Sequence, residues 1–129
     1  MFKTRISRSE DGAAAVEFAL VLPVLILLIL GLIEFSLVFN TQISLTNAAR
    51  EGARVMAIQN DPGVARAAAI NAAPGVTPAV TGGNIAITPA NCGAGDTVTV
   101  TIDYNAELIT GFFGTALGLT GRGVMLCGG

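Results

Sequence analysis

The stretch from Gly12 to Asp61 constrains this chain most, because we predict that it forms one long helix. Between Phe18 and Ile33 there is no charged residue, and Leu, Ile and Val predominate. At about 1.5 Å per residue this run spans roughly 24 Å, so flanking residues must supply the rest of a hydrocarbon core about 30 Å thick. No Pro between Leu32 and Asn60 ends the helix. The sequence therefore predicts a membrane-spanning helix that continues as a stalk.

The first nine residues predict the orientation of that helix. Lys3, Arg5 and Arg8 precede the apolar run with no acidic residue among them. Because basic residues mark the cytoplasmic end of membrane helices, we expect a cytoplasmic N terminus and an extracytoplasmic C-terminal part. A secretory signal peptide fits less well, since its apolar stretch is shorter and ends at a small-x-small cleavage site. We predict a single-pass protein of the cell (inner) membrane.

The long helix has one internal proline and one regular face. Pro23 removes a backbone hydrogen bond, so we expect a bend there but not a break. Beyond Glu34, small or apolar residues recur at steps of three and four, which is typical of one packed helix face. We expect this face to contact the head or a partner, and Glu51 and Arg54 to pair on the opposite side. The residues of the predicted face are Phe35, Phe39, Ile43, Thr46, Ala49, Ala53 and Met56.

Residues 61–129 are expected to form a small head. Asp61 and Pro62 are typical of a helix start, and Pro74-Gly75 of a helix end, so they bound a predicted short helix. Three segments predict strands: NIAIT (84–88), DTVTVTIDYN (96–105) and LTGRGVMLC (119–127).

The middle strand is the clearest, because apolar and polar residues alternate along it. We expect it to pair antiparallel with the last strand, which Gly121 and Gly123 interrupt. The residues between them, around Phe112-Phe113, predict a short helix or a loop. The fold class is therefore α+β: a long N-terminal membrane and stalk helix, then a head with a short antiparallel sheet and one or two short helices.

Composition argues against several functions. The net charge is −2, and the few basic residues form no stripe that would bind nucleic acid. The chain has no His, the side chain most often used for acid–base chemistry near neutral pH, so we do not expect an enzyme. The glycines after position 110 lack the Lys-Ser or Lys-Thr of a phosphate loop. Asp96, Asp103 and Glu107 are too scattered for a calcium loop. No cofactor or metal is predicted.

The two cysteines, Cys92 and Cys127, both follow the predicted membrane helix. If that side of the membrane is oxidising, they can form one disulfide that closes a long loop and stabilises a small head. Two unpaired, small hydrophobic side chains are the alternative. Their separation does not match a CxxC redox or metal motif.

The most informative motif is GAAAVEF at residues 12–18, after a basic leader and before an unbroken apolar run. It resembles the prepilin-peptidase site of type IV pilins and pseudopilins, in which the peptidase cuts after Gly and a Glu is the fifth mature residue. Counting from Ala13, Glu17 is fifth and Phe18 follows it. The continuation AAVEFALVLPVLILLILGLIEF, with LTNAAREGAR at residues 45–54, is similar to the TadE-like proteins of the tight-adherence (Tad, or Flp) pilus system. This resemblance covers about the first half of the chain.

The resemblance implies a minor pilin or pseudopilin of a Tad-type (type IVc) pilus, a structural protein in pilus assembly and surface adherence. A prepilin peptidase would remove a leader at 1–12, leaving a membrane and stalk helix at 13–60 and a head at 61–129. The implied partners are the membrane, the peptidase, other Tad pilins and pseudopilins, and the assembly platform, with homo- or hetero-oligomers formed through the N-terminal helix. Because major Flp subunits are little more than the helix, the added head favours a minor or initiating role.

Two acidic residues lie within or near the apolar zone. After cleavage, Glu17 could pair with the new amine on Ala13 of a neighbouring subunit, which would offset the burial of both charges. Alternatively, Glu17 lies at the cytoplasmic headgroups, where the helix dipole favours a negative charge. Glu34 is expected either to reach water at the outer interface or to make an intersubunit contact. The two carboxylates project to different sides of the helix.

The block from Asn47 to Arg54 is a recognisable element of TadE-like sequences. We consider Asn47, Arg50, Glu51, Gly52 and Arg54 candidates for assembly contacts, since Gly52 permits close helix approach. An ordinary polar helix with one ion pair is the alternative.

Two other functions stay open. One is an uncleaved single-pass membrane protein whose head binds an extracellular ligand. The other is a small redox protein that uses Cys92 and Cys127.

Overall fold

The computed structural model describes residues 6–128, with side chains from residue 10 onward. It has the predicted α+β architecture: a long helix, a short helix and a three-stranded sheet. Lys3, Arg5 and the side chain of Arg8 lie outside the described part, so the orientation of the leader stays a prediction. The boundary between two compact units falls between Phe35 and Ser36.

Helix α1 runs from Ile6 to Gln59 and remains helical through Pro23 and Gly52. It therefore begins before Gly12, within the predicted leader. In the first unit its large apolar side chains are exposed from Val16 to Ile29. Among the described residues, α1 is the one helix that is long and apolar enough to cross a membrane. The most apolar stretch of α1 is not buried by the rest of the protein. Such an exposed surface suits a lipid environment.

Helix α2 spans Pro62–Asn71 and begins as the sequence predicts. The Asp61 Oδ1 atom accepts hydrogen bonds from the backbone N–H groups of Gly63, at 2.9 Å, and Val64, at 3.3 Å. Pro62 needs no such partner, because it has no N–H. Asn60, just after α1, has a φ of 49°. Asn tolerates this left-handed conformation, which ends α1 and redirects the chain into α2.

The sheet contains β1 (Ile85–Thr88), β2 (Thr97–Glu107) and β3 (Ala116–Leu126) in that order, with both pairs antiparallel. The predicted pairing of the last two strands is confirmed. The prediction that two glycines interrupt the last strand is wrong, because Gly121 pairs with Ile102 and Gly123 with Val100 inside a continuous ladder. The segment around Phe112-Phe113 is a loop rather than a helix.

The core of the second unit joins one face of the sheet to the C-terminal part of α1. Alternate β2 residues from Val98 to Ala106 are buried, as the alternating pattern predicts. Ala65 and Ala69 bring α2 into the same cluster. Small side chains dominate on both helices, which allows the backbones to approach closely. The buried residues of α1 are Leu45, Ala48, Ala49, Ala53, Met56 and Ala57.

The predicted face of α1 packs against the head only in its C-terminal part, and a partner contact of the rest stays a prediction. Ala49, Ala53 and Met56 are buried, but Phe35, Phe39 and Ile43 are exposed. Steps of four residues rotate a helical stripe by about 40° each, so a stripe built from such steps turns away from a fixed contact surface. Burial of large apolar side chains by the head begins at Leu45, which the predicted stripe left out.

Candidate processing and assembly segment

The predicted processing residues all lie on α1 and are exposed: Gly12, Ala13, Glu17 and Phe18. A Cβ atom added to Gly12 would meet no atom within 4 Å. Glycine inside a helix costs about 1 kcal/mol relative to alanine, so Gly12 carries a cost without a packing benefit in this structure. Ala13 and Glu17 are four residues apart and so lie on the same side of the helix, one turn from each other.

The two acidic residues have different surroundings. Glu17 is exposed among exposed apolar side chains, including its neighbours Val16 and Phe18. A carboxylate in such a position within a bilayer costs several kcal/mol unless it finds a partner. Glu34 is buried, with only 4% of its surface exposed. The expected exposure of Glu34 to water is not observed, and an intersubunit role for it stays a prediction.

The block from Asn47 to Arg54 divides into outward and inward residues. Asn47, Arg50 and Arg54 are exposed. The half-buried Glu51 pairs with Arg54, with a carboxylate oxygen 3.7 Å from a guanidinium nitrogen, as the sequence predicts. This exposed pair contributes only tenths of a kcal/mol to stability. The polar side of the block is therefore available for contacts beyond the chain.

Gly52 belongs instead to the interior. A Cβ atom at this position would lie 3.2 Å from the Ala69 Cβ and 3.4 Å from the Val100 Cγ1. Gly52 thus lets α1 pack closely against α2 and β2 within one chain. This intramolecular contact accounts for the glycine without an assembly partner.

The match with a known family covers this same segment. The model of the family described as TadE-like protein matches residues 12–54. The chain carries a TadE-like segment. It begins at Gly12, includes the predicted processing residues and the whole 47–54 block, and amounts to about a third of the chain. No curated protein and no solved structure gives a significant match.

The TadE-like match supports the resemblance found in the sequence. The agreement extends over residues 12–54, which is the part of the chain that carries the sequence resemblance. An apolar helix near the N terminus fits a single-pass membrane protein. The head from residue 61 onward lies outside the TadE-like segment.

The head beyond the TadE-like segment is held together at its C-terminal end. Cys92 and Cys127 form the predicted disulfide pair, with Cα atoms 5.6 Å apart. Backbone bonds fix both sides of it: the Cys92 N–H donates to the Asn60 Oδ1 at 2.6 Å, and the Cys127 N–H donates to the Asp96 carbonyl at 2.8 Å. The Gly128 N–H donates to the Ala57 carbonyl at 3.2 Å. The end of α1, the loop after β1 and the end of β3 are therefore tied at one place.

Sequence reasoning missed the contributions of Asn60 and Tyr104. The Tyr104 hydroxyl donates a 2.7 Å hydrogen bond to the Pro78 carbonyl and so attaches the loop after α2 to the sheet. Burial, and secondarily the charge of Glu107, raises the pKa of Tyr104 above its usual value. The position of Tyr104 on the apolar side of β2 is the sequence signal that could have identified it.

Two further features bear on what the head can bind. From residue 10 to 128, no group of three or more His, Cys, Asp or Glu side chains is arranged to hold a metal ion.

The loop between β2 and β3 exposes three large apolar side chains, Ile109, Phe112 and Phe113. The sequence predicted a short helix or a loop around the two phenylalanines but did not indicate what they contact.

Proposed function

We propose that this chain is a minor pilin or pseudopilin of a Tad-type pilus, a structural subunit that a prepilin peptidase cuts after Gly12. The observation that carries the proposal is the TadE-like segment, which starts at Gly12 itself. The open space around Gly12 supports a role other than packing, since any small side chain would fit there. Recognition by a peptidase supplies a reason for glycine that the fold does not.

Cleavage would convert the start of α1 into an assembly element. It would expose an amine on Ala13, one helical turn from Glu17 and on the same side of the helix. The amine and a Glu17 carboxylate from a neighbouring subunit would neutralise each other in an apolar setting, where either charge alone is costly. Such a pair favours one register between adjacent helices. Uncleaved chains would lack the cation and therefore the register.

The exposed apolar surface of α1 would serve in two settings. Its large side chains from Val16 to Ile29 project away from the protein. In the membrane they would contact lipid, and in a filament or priming complex they would contact like helices. Lipid and neighbouring helices both provide apolar surroundings for these side chains, so a subunit can move from the membrane into the assembly without exposing this surface to water.

The head supports a minor role in such an assembly. It forms a sheet packed on the last part of α1 and is closed by a disulfide pair. The bulk of this head, compared with a subunit that is little more than a helix, favours use at the start of a filament. The polar side of the 47–54 block would then contact other pilins, pseudopilins or the assembly platform. Surface adherence would follow from the pilus as a whole.

Complementation of a deletion tests this function. Cells that make Tad pili and lack the gene for this chain would receive the wild type, Gly12→Ser or the matched control Gly75→Ser. Gly75 also has no atom within 4 Å of an added Cβ, but it lies in the head. We expect the wild type and Gly75→Ser to restore surface pili and Gly12→Ser to leave the cells bare. Equal restoration by all three variants would contradict the proposal.

A further inference from the structure

The loop from residue 108 to 115 forms an exposed apolar tip on the head. The exposed fractions of Ile109, Phe112 and Phe113 are 72%, 66% and 70%. No charged residue occurs between Glu107 and Arg122. Gly111 and Gly114 have positive φ angles of 72° and 108°, which glycine adopts without strain, and they flank the two phenylalanines in the turn. Exposed clusters of this kind commonly mark an interaction surface.

The packing of α1 on β3 determines which end of the second unit carries this tip. The Gln42 Nε2 donates to the Thr120 carbonyl at 2.8 Å, and further along the two elements Ala49 lies against Gly123. Moving toward the N terminus of α1 therefore means moving toward the start of β3. From the Gln42–Thr120 contact, the four strand residues back to Ala116 advance about 13 Å, and the six helical residues back to Ser36 advance about 9 Å. The start of β3 therefore reaches at least as far as Ser36 in this direction. The loop thus lies at the Ser36 end of this unit.

That end is the one from which the chain continues into the exposed apolar part of α1. If α1 spans a membrane, the Ser36 end of the head is near the lipid surface, because Ser36 directly follows the apolar run in the chain. Large apolar side chains without neighbouring charge are stabilised at the boundary between headgroups and acyl chains, at a depth of about 5–10 Å. Both the apolar side chains of the loop and its position indicate that it contacts a phospholipid surface.

We propose that the loop inserts Ile109, Phe112 and Phe113 into the outer boundary of the bilayer that α1 crosses. The insertion gives the head a second membrane contact besides the helix. It would hold the exposed polar residues of the 47–54 block in one orientation relative to the membrane plane. This inference rests on the membrane-spanning helix and is independent of cleavage at Gly12.

The chain contains no Trp, so one introduced Trp reports on the loop without background. The full chain carrying Phe113→Trp would be reconstituted into phosphatidylcholine vesicles with and without lipids brominated on the upper acyl chain. The matched control is Ile58→Trp, which replaces an apolar side chain that is 66% exposed near the C-terminal end of α1. A Phe112→Trp variant repeats the measurement if Phe113→Trp does not fold. Retention of the disulfide verifies folding.

We expect the Trp at position 113 to emit at shorter wavelength than the control and to lose most of its emission in brominated vesicles. The control Trp should keep its emission in those vesicles and be quenched by aqueous iodide. Equal iodide quenching of both variants, with no effect of bromine, would overturn the proposal. A blue shift that grows with protein density but is insensitive to bromine would also overturn it, since a second copy would then cover the loop.

Discussion

Gly121 lies so close to Leu45 that a Cβ atom added to the glycine would be 2.5 Å from the Leu45 carbonyl oxygen. Gly123 stands in the same relationship to the backbone of Ala49. The four helical residues from Leu45 to Ala49 advance about 6 Å, and the two strand residues from Gly121 to Gly123 advance about 6.6 Å. Because these distances are nearly equal, each glycine lies opposite one of the two helix residues. The glycines therefore provide a flat surface on β3 against which one turn of α1 rests directly.

Gly121→Ala and Gly123→Ala should each destabilise the head, because the new methyl group must displace the backbone of α1. Overpacking of this kind costs about 1–3 kcal/mol. Chemical denaturation of the full chain in micelles, followed by the near-ultraviolet signal of Tyr104, would measure the loss. Gly118→Ala is the matched control on the same strand, since its nearest contact would be the Asn105 Oδ1 at 3.7 Å. Equal stability of all three variants would contradict this packing.

Removal of the disulfide should destabilise the head through the unfolded state. The bond joins residues that are 35 positions apart, and a loop of that size corresponds to about 3–4 kcal/mol of closure entropy. Cys92→Ser combined with Cys127→Ser should lower the denaturation midpoint, and a reductant should lower the wild type to the same value. A reductant that leaves the wild-type midpoint unchanged would argue against this contribution.

Tyr104 should make the stability of the head depend on alkaline pH. Its pKa is raised above the usual 10.0, first by burial and then by Glu107. The folded state thus keeps the proton where the unfolded chain begins to lose it, so this contribution is complete below pH 10.0 and falls as pH rises through the folded pKa.

The chain has one Tyr, so the tyrosinate absorbance in a pH titration reports on Tyr104 alone. The folded protein should titrate at higher pH than the denatured protein, and Tyr104→Phe should remove the alkaline loss of stability. Coincident titration curves for folded and denatured protein would contradict the prediction.

Asp61 should stabilise α2 as its N-cap. Asp61→Ala removes the acceptor for the Gly63 and Val64 N–H groups and should cost about 1 kcal/mol. Asp61→Asn keeps a side-chain oxygen at the same place and should retain most of the stability. Thermal unfolding of the three proteins measures the difference, and a loss in the Asn variant as large as in the Ala variant would exclude capping as the cause.

Local signals predicted much of this fold. The apolar run predicted α1, Asp61-Pro62 predicted the start of α2, and the alternation from Val98 to Ile102 predicted the buried side of β2. Each of these depends on neighbouring residues in the sequence. The same holds for the candidate processing site, because GAAAVEF is a contiguous motif whose position agrees with the start of the TadE-like match.

Features set by distant contacts were not predictable in this way. Burial along α1 depends on how far the head extends, and the periodicity through Phe35 and Phe39 could not show that the head buries large apolar side chains only from Leu45 onward. Gly121 and Gly123 resembled strand breakers because the helix that rests on them comes from about 75 positions earlier in the chain. The burial of Glu34 gave no local signal either.

The most direct test of the processed-pilin account is the mass and N-terminal residue of the full chain after co-expression with a prepilin peptidase. We predict a mature chain that begins at Ala13 for the wild type and for Gly75→Ser, and an intact leader for Gly12→Ser. A peptidase that cuts a known prepilin in the same cells but leaves Met1–Gly12 on the wild type would contradict the account and favour an uncleaved membrane protein.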